Sequence, residues 1–124
     1  MARGPAARVY RLMLDALKAL PEQYRQALNN VDFQVARSLT PRDRRRLGLG
    51  NATLYGFYEG VPQSRRDSSY DRVLPDRITL YWGPLIRDFP EESDLEDEVR
   101  KTLYHEIAHY FGMDEDEVHD TSVR

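Results

Sequence analysis

Three residues near the end of the chain have the types and spacing needed to bind a metal ion and activate water. His105 and His109 are four residues apart, so on a helix both imidazoles lie on one face and can reach one Zn²⁺ ion. Glu106 lies beside them, and in an H-E-x-x-H pattern this glutamate takes a proton from the attacking water rather than binding the metal. The chain's third histidine, His119, lies in the same final stretch. The sequence therefore predicts a zinc site with Glu106 as its general base.

The pair of histidines leaves one metal ligand to be found. A catalytic zinc normally has three protein ligands and one water. Gly112 is placed to end the helix and let the chain reverse, and Glu115 follows it by three residues, the spacing of the third ligand in the longer H-E-x-x-H-x-x-G-x-x-H pattern. We expect Glu115 to be that ligand, with His119 and Asp116 as the alternatives.

The composition is typical of a small globular domain. The chain has 124 residues and a mass of 14.5 kDa, with 40% hydrophobic and 31% charged residues, so we expect residues 1–124 to form one domain. The formal charge of −3 argues against a general nucleic-acid binder. The absence of cysteine excludes disulfides and leaves imidazole, carboxylate and water as metal ligands.

The sequence also bears on location. Arg11, Asp15 and Lys18 interrupt the first apolar run, so the start of the chain lacks the apolar region of a secretory signal. No stretch is long and apolar enough to span a membrane. We expect a cytoplasmic protein with no membrane partner, and the sequence indicates no oligomeric state.

Helical periodicity is clearest at the two ends of the chain. Apolar residues at three- and four-residue spacing predict a helix over residues 9–20 that closes at Pro21, followed by a short turn over Glu22–Leu28 with Tyr24 directed inward. The site helix is predicted to begin near Asp94, with a capping box formed by Ser93 and Glu96. Its core-facing residues are Leu95, Val99, Leu103, Ile107 and Tyr110.

Three segments have the pattern of strands: Val31–Ala36, Leu54–Tyr58 and Arg77–Trp82. Apolar and polar residues alternate in the first, which predicts a strand with one buried face. The last should lie near a sheet edge, because Pro84 cannot donate to a ladder. An extended peptide could pair with that edge and lay its scissile bond across the metal. The arginine-rich segment Ser38–Arg46 is predicted to be a solvated surface loop, with a short helical turn started by Thr40-Pro41 as the alternative.

The segment from His105 to Gly112 resembles the zincin metallopeptidases, and most of the chain is similar to a small bacterial single-domain zincin-like family. Further landmarks of that family are Leu54-Tyr55-Gly56, Gly60-Val61-Pro62 and Leu74 to Tyr81. The resemblance implies an α+β minimal zincin fold, a small mixed β-sheet with an N-terminal packing helix and a C-terminal active-site helix.

The resemblance also implies the chemistry of the site. It implies Zn²⁺ bound at His105 and His109, Glu106 as base, and an acidic ligand at the position of Glu115, where family members usually have aspartate. The chain ends soon after His119, which leaves no room for the C-terminal subdomain that carries the specificity pocket in larger zincins.

Two functions of different classes follow. The first is a zinc-dependent peptidase acting on short peptides or unfolded protein, because so small a scaffold offers a shallow cleft. Tyr70 or Tyr81 could then donate a hydrogen bond to the developing oxyanion. The alternative is a zincin-shaped metal-binding interaction module without turnover. Nucleic-acid binding through Arg42–Arg46 is disfavoured.

Overall fold

The computed structural model describes residues 4–60 and 75–112. Within these ranges the chain forms five helices and a three-stranded sheet. The helices are α1 (Pro5–Ala19), α2 (Glu22–Ala27), α3 (Pro41–Leu47), α4 (Trp82–Asp88) and α5 (Glu92–Tyr110), and the strands are β1 (Val31–Ala36), β2 (Gly56–Glu59) and β3 (Asp76–Tyr81). The predicted α+β class is confirmed, with a mixed sheet, an N-terminal packing helix and a C-terminal helix that carries the histidines.

The sheet has the order β1-β3-β2 in the described part of the chain. Strand β3 is parallel to β1 and antiparallel to β2, so that Ile78 lies opposite Phe33 on one side and Tyr58 on the other. The prediction of an edge strand over Arg77–Trp82 is therefore wrong, because β3 is the central strand of this sheet.

The misleading signal was Pro84, which lies in a helix rather than at a strand edge. Strand β3 ends at Tyr81, and Trp82 begins α4. Pro84 is the third residue of α4, where its missing N–H has no consequence because the first N–H groups of a helix have no partner within it. The backbone N–H of Gly83 donates instead to the carbonyl oxygen of Arg37, at 2.8 Å.

Helix α5 packs with α1 on one face of the sheet. The predicted core-facing stripe of α5 is confirmed, since each of its members is buried: Leu95, Val99, Leu103, Ile107 and Tyr110. The hydroxyl of Tyr104 donates to the carbonyl oxygen of Ala16 at 2.9 Å, and that of Tyr110 donates to the carbonyl oxygen of Asn29 at 3.1 Å. These bonds tie the C-terminal half of α5 to α1 and to the turn before β1.

The predicted cap at the start of α5 is wrong, whereas the predicted glycine at its end is confirmed. The helix begins at Glu92, Glu91 is its N-cap, and no side chain caps it, so the predicted capping box at Ser93 and Glu96 is wrong. At the other end, Gly112 has a φ of 85°, the left-handed conformation predicted to end the helix.

The arginine-rich segment forms a helix, α3, where the sequence predicted a loop. Thr40 is its N-cap, and the Thr40 hydroxyl accepts a hydrogen bond from the backbone N–H of Asp43 at 3.1 Å. Gly48, with a φ of 68°, ends the helix in the left-handed region. The prediction was wrong because these two capping signals outweigh the repulsion among neighbouring arginines.

Two smaller expectations were also wrong. Tyr24 in α2 is 37% exposed and is not directed inward. All six residues of β1 are half-buried, so this strand does not have one buried and one exposed face.

No helix in residues 4–60 and 75–112 is long and apolar enough to cross a membrane.

Strand β2, which begins at Gly56, lies unusually close to α5. A Cβ atom added at Gly56 would lie 2.7 Å from Cγ2 of Thr102 and 3.0 Å from Cδ2 of Leu80. Real Cβ atoms do not approach other atoms this closely. Glycine at this position therefore lets the sheet and the site helix pack in contact.

We predict that Gly56→Ala lowers the free energy of unfolding by about 1–3 kcal/mol, because the new methyl group overpacks the space between β2 and α5. Urea unfolding measures the change. Gly4→Ala is the control for the added methyl group, since no atom lies within 4 Å of a Cβ placed at Gly4. Because Gly4 is the N-cap of α1, we expect this control to cost about 0.5 kcal/mol. Equal stability of the two variants would contradict this account of the packing.

Candidate active site

Helix α5 carries the predicted site residues on two adjacent rows. Side chains four residues apart on a helix lie on the same side, about 6 Å apart along the axis. The first row consists of Lys101, His105 and His109, and the second of Glu98, Thr102 and Glu106. The local helical geometry therefore places the two histidines next to the glutamate without any help from distant parts of the chain.

The two histidine rings converge. Their Nε2 atoms are 3.1 Å apart, and the ring centroids are 4.7 Å apart with the planes tilted by 40°. Two imidazole nitrogens bound to one tetrahedral zinc at 2.0–2.1 Å would be about 3.3 Å apart. His105 and His109, both half-buried, thus fit a single zinc ion through their Nε2 atoms.

The described residues alone do not complete a metal site with three protein ligands. Among the described residues, no group of three or more His, Asp or Glu side chains is arranged to hold a metal. Glu115, Asp116 and His119 lie outside the described residues. The assignment of Glu115 as third ligand therefore stays a prediction.

Glu106 is buried, with 9% of its surface exposed. It lines a cleft of about 240 Å³ together with His105. One wall of the cleft is α5, represented by Glu98, Lys101, Thr102, His105 and Glu106, and the other wall is residues 53–56. A carboxylate and an imidazole that face the same small cleft can act on the same bound molecule.

The wall formed by residues 53–56 is tied to the rest of the fold. The hydroxyl of Tyr55 donates to Oδ2 of Asp88 at 2.7 Å, and Oδ1 of Asp88 accepts from Nε of Arg87 at 2.8 Å. The carbonyl oxygen of Tyr55 accepts from the backbone N–H of Tyr81 at 2.8 Å. Helix α4 and strand β3 therefore set the position of this wall.

These bonds shift two pKa values in opposite directions. Hydrogen bonds from Arg87 and then Tyr55 lower the pKa of Asp88 from 3.8 to about 2. The same Asp88 carboxylate, with burial adding to its effect, raises the pKa of Tyr55 to about 12. The hydroxyl of Tyr55 thus stays protonated and engaged with Asp88 at neutral pH.

Of the two tyrosines predicted as oxyanion donors, Tyr81 is the one that the described residues include, and it does not line the cleft. Tyr81 is buried in β3. Burial raises its pKa to about 12, and the negative charges of Glu59 and Asp43 add to the shift. Tyr70 lies outside the described residues.

Several residues in each wall of the cleft were not predicted from the sequence. Glu98, Lys101 and Thr102 stand at four-residue intervals from Glu106 and His105, and this spacing could have identified them. The contribution of residues 53–56 had no such local signal, because it depends on how β2 packs against α5.

The sequence model of the zincin-like metallopeptidases matches residues 28–123. The chain belongs to this family. Among solved structures, it is similar to a conserved hypothetical protein from the bacterium T. thermophilus, with 24% sequence identity and a TM-score of 0.56, covering 84% of this chain and 91% of that one. This likeness shows that the two chains share a fold. Among curated proteins, no sequence matches the chain significantly.

We predict that Tyr55→Phe raises the pKa of Asp88 toward its ordinary value of 3.8, because the carboxylate loses one of its two donors. In the parent, the stabilisation from this ionised carboxylate is present above pH 3.8 and is lost as the pH falls toward 2. An NMR titration of the aspartate carboxyl carbons measures the change. Tyr10→Phe, at an exposed tyrosine of α1, is the control, and an unchanged Asp88 pKa in Tyr55→Phe would refute the assignment.

Proposed function

We propose that the protein is a zinc-dependent peptidase in which His105, His109 and Glu115 bind the metal and Glu106 is the general base. The observation that carries the proposal is the 3.1 Å separation of the two Nε2 atoms, on the helix that places His105 and Glu106 in one cleft. Membership of the zincin-like metallopeptidases supports the peptidase class.

Each residue has a separate part in the proposed hydrolysis. Bound zinc would supply the Lewis acidity that lowers the pKa of water from about 15.7 toward 7. The carboxylate of Glu106 accepts a proton from the attacking water and passes it to the nitrogen of the leaving amine. The Nε2 atoms of His105 and His109 would hold the metal.

Strand β2 replaces β3 as the proposed docking strand for an extended substrate. In the described sheet β2 is an edge strand. Its first residue, Gly56, and the three residues before it form a wall of the cleft. An extended peptide can add to such an edge through backbone hydrogen bonds. A cleft of about 240 Å³ favours short peptides or unfolded segments. We propose no nucleic-acid or membrane partner, and the cytoplasm is the proposed location.

We predict that Glu106→Gln keeps about one zinc per chain but lowers peptide hydrolysis by a factor of about 10²–10⁴, since the proton acceptor is lost and the metal ligands are not. Metal analysis and the cleavage of a broad peptide library measure the two effects. Glu96→Gln is the matched control, because Glu96 is exposed on the same helix.

Two outcomes would reject the proposed activity. Unchanged hydrolysis in Glu106→Gln would exclude Glu106 as the base. A zinc-loaded parent protein that cleaves no peptide in the library would favour the alternative, a zincin-shaped metal-binding interaction module without turnover.

A further inference from the structure

Lys101 places a positive charge in the cleft, where a bound ligand can reach it. It lines the cleft one helical turn before His105, and its side chain is exposed. Two acidic residues lie one turn earlier on α5, and both accept hydrogen bonds from other side chains. Oδ1 of Asp97 accepts from Nη2 of Arg100 at 2.6 Å, and Oε2 of Glu98 accepts from the hydroxyl of Thr102 at 3.3 Å. Among the described residues no carboxylate forms an ion pair with Lys101.

The opposite wall offers no competing cation. In the described part of the chain, two guanidinium groups lie near it, and neither lines the cleft. That of Arg44 donates to the carbonyl oxygens of Gly50 and Ala52, and Nη2 of Arg87 lies 3.5 Å from the hydroxyl of Thr53. Both Nε and Nη2 of Arg87 donate to Asp88, at 2.8 and 3.0 Å, so its charge is already paired. Within the described part of the cleft, the charge that can attract an anionic group is therefore that of Lys101.

The spacing along α5 sets where such a group would lie in a substrate. Four helical residues separate the Lys101 and His105 positions by about 6 Å. One residue of an extended peptide spans about 3.3 Å. A group bound at Lys101 is thus about two residues away from the peptide bond held at His105.

We propose that Lys101 is a specificity-determining residue that binds a substrate carboxylate about two residues from the scissile bond. The carboxylate is either the C-terminus of a short peptide or an acidic side chain. This inference rests on the peptidase function proposed above and adds to it a substrate class, peptides with a negative charge close to the cleaved bond.

The charges around Lys101 favour a carboxylate over a phosphate. Glu98 and Glu106 line the same cleft, and their negative charges repel a doubly charged anion more strongly than a singly charged one. A lysine ammonium is a compact single charge without the forked geometry that arginine offers to phosphate. The single ammonium of Lys101 is therefore better matched to a singly charged carboxylate than to a doubly charged phosphate.

The test measures binding to the zinc-loaded Glu106→Gln protein, so that the peptides stay intact. A short N-acetylated peptide of alanine and leucine is prepared as the free acid, as the carboxamide, and as the carboxamide with one internal glutamate.

The chain has two lysines, Lys18 and Lys101. Methylation with isotope-labelled methyl groups keeps their charge and gives each a separate NMR signal.

We expect the free acid, the glutamate peptide or both to shift the Lys101 signal and to leave that of Lys18 in place. Lys101→Met should weaken their binding about threefold to tenfold and remove their advantage over the carboxamide. Lys18→Met is the matched control and should bind as the parent does. Which of the two peptides responds identifies a terminal or a side-chain carboxylate.

Two results would overturn the inference, and they differ in what they leave standing. If the acid and the carboxamide bind equally and the Lys101 signal does not move, Lys101 has no role in specificity, while the peptidase proposal is unaffected. If no peptide binds to Glu106→Gln and the parent cleaves none, the peptidase proposal fails and the inference fails with it.

Discussion

The close contact between strand β2 and helix α5 is the constraint on which the candidate site depends. At Gly56 there is no room for a Cβ atom, which would lie 2.7 Å from the Thr102 side chain. Thr102 is one turn before Glu106 on the same row of α5. The contact therefore brings residues 53–56 against the row that ends in the proposed base, and the cleft is the space that remains beside it. Without glycine at this position the two walls would separate.

Helix α5 serves the core and the cleft with different sides of the same cylinder. Its apolar stripe is buried, and the hydroxyls of Tyr104 and Tyr110 bond to backbone oxygens of other elements. These contacts fix the rotation of the helix about its axis. Because side chains on a helix have fixed angular positions, that rotation also fixes where His105 and His109 point. Core packing and metal-ligand geometry are thus coupled through one rigid element.

The features that the sequence predicted correctly are local ones. The core-facing residues of α5 and the stop at Gly112 each depend on residues within a few turns of one helix. The prediction that β3 lies at a sheet edge was wrong, because strand order depends on pairing between distant segments. Pro84 wrongly indicated an edge strand. The role of Tyr55 in the cleft was missed for the same reason, since its partner Asp88 is 33 residues away.

The central claim is that the two histidines of α5 bind one zinc ion and leave a position open to water. X-ray absorption at the zinc edge of the zinc-loaded protein tests it most directly. We expect two imidazole nitrogens at about 2.0–2.1 Å, with the remaining ligands being oxygen atoms of a carboxylate and water. A third imidazole would identify His119 in place of Glu115. Fewer than two imidazoles, or four protein ligands with no water, would contradict the account.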